Sequence, residues 1–183
     1  MKNIVFFTLI IMLLSTSASA QKKVYAARKS LVKFVSEAPL EVIKASSNQL
    51  KGFFDTEKRS FTFIIPCTSF IGFNSPLQQI HFYENYVEAQ KFPESKFIGK
   101  IIEQVDFASD GDYQVRAKGI MTIHGIDQER IIKVRIKVKK GILFASSDFS
   151  ILLQEYNITI PKVVYQKIAE EIFISVSLEM IRK

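Results

Sequence analysis

Over residues 95–153 apolar and polar residues alternate, interrupted only where a glycine or a charged cluster permits a turn. The clearest run is Ile132-Lys133-Val134-Arg135-Ile136-Lys137-Val138-Lys139. Successive strand side chains point to opposite faces, so the aliphatic residues share one face and the cations the other. Strands of this kind, joined by short turns, favour an antiparallel sheet with one face turned from water. Such a sheet can close around an apolar lumen, and a barrel of about eight strands is wide enough for one small ligand.

The rest of the chain supplies matching strands. Residues 23–36 predict a long first strand, and residues 38–45 an extended segment broken at Ser46-Ser47-Asn48. Lys51-Gly52-Phe53-Phe54-Asp55 leads into a turn, after which Phe61, Phe63 and Ile65 alternate along the next strand. Further strands are expected over residues 95–107, 113–124, 129–139, 142–153, 156–160 and 172–180. The fold class is therefore all-β, an antiparallel barrel of about eight strands. One helix interrupts it, over residues 76–89. Asn74 or Ser75 can cap it, Pro76 suits the first helical position, and Leu77, Ile80, Glu84 and Val87 follow at helical spacing. Inside an all-β chain its apolar stripe has to pack on the sheet, capping or lining an open end of the barrel.

The first twenty residues read as an export leader. Lys2 is the positive start, residues 4–14 are apolar, and Ala18-Ser19-Ala20 is a small-residue cleavage site. Cleavage there leaves residues 21–183 as a single domain, periplasmic or secreted, with Gln21 rather than a lipid-accepting cysteine in front. Cys67 is the one cysteine, so no internal disulfide is expected and a buried inert thiol is. The net charge of +7 is spread over strand faces, densest at Lys133, Arg135, Lys137 and Lys139. A solvated wall that discourages edge pairing explains this stripe, and transient contact with an anionic membrane surface stays open beside it. A homodimer also stays open, whereas nucleic acid is not expected as a partner.

There are sixteen phenylalanines and no tryptophan. Phe61, Phe63, Phe97, Phe144 and Phe149 are candidates for a lumen wall, although an ordinary packed core would produce the same pattern. Of the two histidines, His81 can meet a ligand oxygen or anchor the helix, and His124 can order the hairpin before Gly125. His81, Glu84 and Glu88 have a spacing that suits a solvated helix face better than a metal site. No nucleophile elbow, phosphate-binding glycine loop, Cys-His pair or paired-cysteine site occurs, so no catalytic or metal residues are assigned.

Three motifs carry a resemblance. They are the pair His81-Phe82 on the helix, the entry Phe92-Pro93-Glu94-Ser95-Lys96-Phe97, and Gly119-Ile120-Met121-Thr122-Ile123-His124-Gly125-Ile126. In this order, and followed by residues 149–151, 156–161 and 168–169, they resemble the YceI-like family, with Met121 in place of the usual leucine. The start Tyr25-Ala26-Ala27-Arg28-Lys29-Ser30 lacks the aspartate of the family's first strand. The resemblance implies a lipocalin-like barrel holding an isoprenoid quinone or prenyl phosphate, with no covalent cofactor. It adds Phe70, His81, Phe82 and Tyr156 to the expected ligand-contacting set. An enzyme acting on such a lipid, and a secreted stress or interaction protein with a filled barrel, are the alternatives. Intact-mass analysis of protein from its own host should find Gln21 as the first residue; a chain retaining residues 1–20 would refute the leader.

Overall fold

Among the described residues nine strands form, because the alternating segments pair edge to edge. The computed structural model describes residues 23–183, and the leader expected over residues 1–20 lies outside the described residues. The strands are β1 (Val24–Glu37), β2 (Val42–Ser47), β3 (Lys51–Asp55), β4 (Ser60–Pro66), β5 (Glu94–Ile101), β6 (Gly111–Ile123), β7 (Ile126–Lys139), β8 (Ile142–Leu152) and β9 (Glu171–Arg182). Each of β3 to β8 pairs antiparallel with the next, and β9 returns to pair with β1. Eight strands thereby close a barrel. β2 is the extra one, and it shares an edge with β3: Val32–Glu37 of β1 pair with β2, while Val24–Ala26 pair with β3.

A bulge in β1 makes closure compatible with the sequence. The β1–β9 register shifts between Ala27 and Lys29, which changes the parity of inward positions. Tyr25 is therefore buried before the bulge, and Val32 and Phe34 face inward after it, while Leu31 is turned outward. On β9 the alternation is unbroken, with Ile172, Ile174, Val176, Leu178 and Met180 inside. The aliphatic residues of β7 also face in, and its cationic stripe faces solvent.

Four expectations need correction. Residues 156–160 are not a strand, because a 3-10 turn over Leu153–Tyr156 ends at Asn157 in the left-handed region. β5 stops at Ile101, and Phe107 lies in the loop beyond it, packed edge-on against Phe54 at 5.3 Å. β7 starts at Ile126 because His124 and Gly125, with φ of 51° and 70°, turn the hairpin in two residues. The helix is shorter than residues 76–89: α1 (Pro76–His81) continues as a π-helical turn over Phe82–Tyr86, and Glu88 has φ of 43°. Ser75 is the cap, its hydroxyl accepting from the Gln78 amide at 3.2 Å.

The ladder between β7 and β8 covers only Arg135–Lys139 against Ile142–Ser146. Beyond it side chains replace backbone pairing. Ser147 Oγ donates to the Lys133 carbonyl at 2.7 Å, and Arg130 Nη2 donates to the Ser150 carbonyl at 2.6 Å. Arg130 also pairs with Glu155, whose carbonyl accepts from Gln128 at 2.7 Å. The unpaired stretch lies at the end of the barrel where the helical segment packs, Tyr86 joining the cluster of Ile132, Ile151 and Leu153.

Two seams away around the barrel, β5 and β6 are held close by glycine. Gly99 and Gly119 face each other across β5 and β6, and a Cβ on Gly119 would lie 2.3 Å from the Ile98 carbonyl oxygen. Backbone would have to move to admit it. Gly119→Ala should therefore destabilise the barrel by about 1–3 kcal/mol, measured by urea denaturation; an unchanged midpoint would mean the strands are not this close.

Candidate functional site

The inward faces do not meet. They enclose a cavity of about 550 Å³, within the range of natural small-molecule sites. A barrel filled by its own side chains does not describe this structure. The closed end is built from Tyr25, Phe107 and Val138, which are buried and packed beneath the lumen. Just above them the lining is purely apolar, with Phe54, Ile101, Ile136, Leu143 and Met180.

The open end differs in chemistry. Phe34, Phe70, Phe73 and Phe82 form an aromatic cluster with centroid separations from 5.1 to 5.9 Å, and all four line the cavity. It docks α1 on the barrel, helped by Tyr83, whose hydroxyl donates to the Phe70 carbonyl at 2.6 Å. Polar groups lie around this cluster: Ser36, Glu41, Gln78, His81 and Lys167. Glu41 is held in place by Asn74 and Gln78, each donating a side-chain amide to Oε1 at 3.0 Å. The cavity is thus greasy at the bottom and hydrogen-bonding at the mouth.

Seven of the nine expected contact residues line it: Phe61, Phe63, Phe70, His81, Phe82, Phe97 and Phe149. Phe144 does not. It is 39% exposed on the outer wall, because it lies five residues from inward-facing Phe149 in one unbroken strand and so has opposite parity. Tyr156 does not either. Its ring is fully buried among Met121, Ile132, Ile151 and Leu153, and burial pushes its phenol above the ordinary value. Phe34, Phe73, Glu41, Gln78 and Lys167 escaped the sequence reading. Phe34 follows from its period-two relation to Val32, but nothing local marks Glu41 or Lys167, which come to the same cavity only in the folded chain.

The two histidines play different parts. His81 lines the mouth and is exposed. His124 is structural: Nδ1 lies 2.9 Å from the Tyr156 carbonyl and Nε2 lies 3.0 Å from Glu88 Oε1, with the ring edge-on to Phe92. Both ring nitrogens are thereby engaged, which fixes the orientation of the imidazole. Glu88 is consequently engaged with His124 and not on a shared face with His81 and Glu84. Cys67 is buried, with Sγ 3.6 Å from Ser95 Oγ, and burial pushes its thiol up.

The hydrogen bond from His124 holds the Glu88 carboxyl below its ordinary value, with Lys91 adding attraction. A folded pKa below the unfolded one stabilises the protein above the usual carboxylate range near 4, and that gain disappears as pH falls through the folded value. Glu88→Gln should therefore be less stable than the parent at neutral pH, with the difference vanishing in acid. Denaturation midpoints across pH check this; a constant difference would refute the coupling.

A model of the YceI-like domain family matches residues 24–180. No curated protein matches the chain. Among solved structures, a polyisoprenoid binding domain from Saccharophagus degradans implicated in plant cell wall breakdown superposes with TM-score 0.73 at 12% identity, over 87% of this chain and 98% of that one. Burkholderia cenocepacia BcnA gives TM-score 0.66 at 17% identity, over 82% and 95%. The Campylobacter jejuni YCEI protein gives 0.53 at 16%, over 69% and 75%. At these identities the likeness establishes the barrel fold.

Proposed function

The chain belongs to the YceI-like domain family, and from that premise we propose that it sequesters or carries a long-chain isoprenoid lipid in its lumen. Binding is by burial and hydrogen bonding, without covalent chemistry. The observation that carries this reading is the cavity's gradient, apolar at the closed end and polar at the mouth. An amphiphile would lie with its tail down and its head between His81, Gln78 and Lys167.

Magnitudes assign the roles. Burying a methylene contributes about 0.8 kcal/mol, so a tail of about eight isoprene units would grossly contribute about 30 kcal/mol. Non-covalent affinity saturates near 20 kcal/mol, so ordering and incomplete burial consume the excess. A head-group hydrogen bond adds about 1 kcal/mol. The tail sets affinity and the head sets choice. The lining holds Glu41 beside Lys167 and a Lys96 already paired with Glu94, which suits an uncharged, hydrogen-bond-accepting head such as a quinone better than a phosphate that would have to share space with a carboxylate. The leader pattern of residues 1–20 places this holder outside the cytoplasm in our reading, in the periplasm or secreted.

Native mass spectrometry of protein from its own host should reveal a bound prenyl species, removable by solvent extraction. Protein that is empty and also refuses added quinones and prenyl phosphates would overturn the proposal. Two variants locate the site. Phe63→Asp should lower uptake by about tenfold or more, the equivalent of one buried ring. Phe144→Asp, on the outer wall, should leave uptake unchanged. Equal effects of the two in folded protein would mean the lipid does not occupy the lumen.

A further inference from the structure

We propose that the rim of the cavity mouth is a membrane-docking surface, inserting Val163 and neighbouring apolar side chains into the headgroup–acyl boundary of a lipid bilayer. The inference builds on the lumen reading above but concerns a different surface. Three segments meet at the mouth. The Leu40 amide donates to the Gln166 carbonyl at 2.9 Å, and Glu41 accepts from Asn74 and Gln78 at the start of α1. Each segment lines the lumen with some residues and presents others to water. Val163 is 90% exposed, Leu40 66%, Leu77 60% and Tyr165 59%.

So many uncovered apolar groups around one opening are not explained by packing within the chain. A strand or helix partner would need one continuous face, whereas these side chains come from two separate loops and a helix end around an apolar hole. A bilayer fits that arrangement: aliphatic tips enter the acyl boundary, Tyr165 and Lys162 sit at headgroup level, and the mouth faces the hydrocarbon from which a water-insoluble cargo must come. Charge is mixed here, with Lys162 and Lys167 offset by Glu37 and Glu41. Apolar insertion therefore leads, and neutral lipid suffices. The cationic stripe of β7 lies along the outer wall and leads away from the mouth, with Arg135 already paired to Asp112.

The test is flotation of the protein with phosphatidylcholine vesicles. Because the chain has no tryptophan, Val163→Trp also supplies a single reporter. The parent should co-float and stay bound at high salt, and the Val163→Trp emission should move to the blue on adding vesicles. Val163→Asp combined with Leu40→Asp should cut the bound fraction by about tenfold, without changing the lipid extracted from the lumen. Three results would overturn the proposal: no flotation, binding confined to phosphatidylglycerol vesicles and lost in salt, or Val163-dependent self-association in place of vesicle binding. Failure of the lumen reading is separate, since it shows as an empty extract together with refusal of added quinones and prenyl phosphates, whatever the vesicles do.

Discussion

Pairing of β9 with β1 is the interaction on which the rest depends. Eleven residue pairs, from Tyr25 opposite Arg182 to Ser36 opposite Ile172, join the two ends of the chain and remove the free edges of the barrel. With the circle closed, every inward side chain faces the same interior, and backbone groups pair from strand to strand around the circumference except where β7 and β8 part. The bulge near Arg28 is part of this closure. Without its change of parity, Tyr25 and Phe34 could not both point inside, and one end of the barrel would lose its plug or its aromatic wall.

Closure alone allows either a packed barrel or a hollow one. The lumen stays open because the circumference is not uniform. Gly99 and Gly119 bring β5 and β6 together, and nearby Ala117 adds little bulk. β7 and β8 part company above Arg135, and Arg130, Gln128 and Ser147 span the gap. Buried aromatic residues then divide the work. Phe107 and Tyr25 stop the narrow end, while Phe34, Phe70, Phe73 and Phe82 hold α1 beside the mouth without blocking it. His124 steadies the same end by linking the β6–β7 hairpin to the turn after β8 and to the exit of the helical segment.

Much of this was legible in the residues, and the failures have physical causes. Period-two patterning was read correctly where both faces differ sharply, as on β7 and β9. It was misread at Phe144, where aromatic character was allowed to outweigh a parity that Phe149 already fixed. Residues 156–160 have strand composition, yet Asn157 takes a left-handed conformation and the segment turns beneath Tyr156. The helix ended early because its last turn widens to a π-helix over Phe82–Tyr86, where aromatic docking outweighs regular hydrogen bonding.

The sequence by itself determined most of the strands, that they form an antiparallel sheet with one apolar face, and where the helix begins. These are local matters, governed by side-chain period and by turn and cap chemistry. Only the tertiary structure decided that the interior is hollow, that polar groups collect at one end, and that Leu40, Leu77 and Val163 surround the same opening. Those properties depend on distances between segments far apart in the chain, and alternation along any one strand carries no record of them.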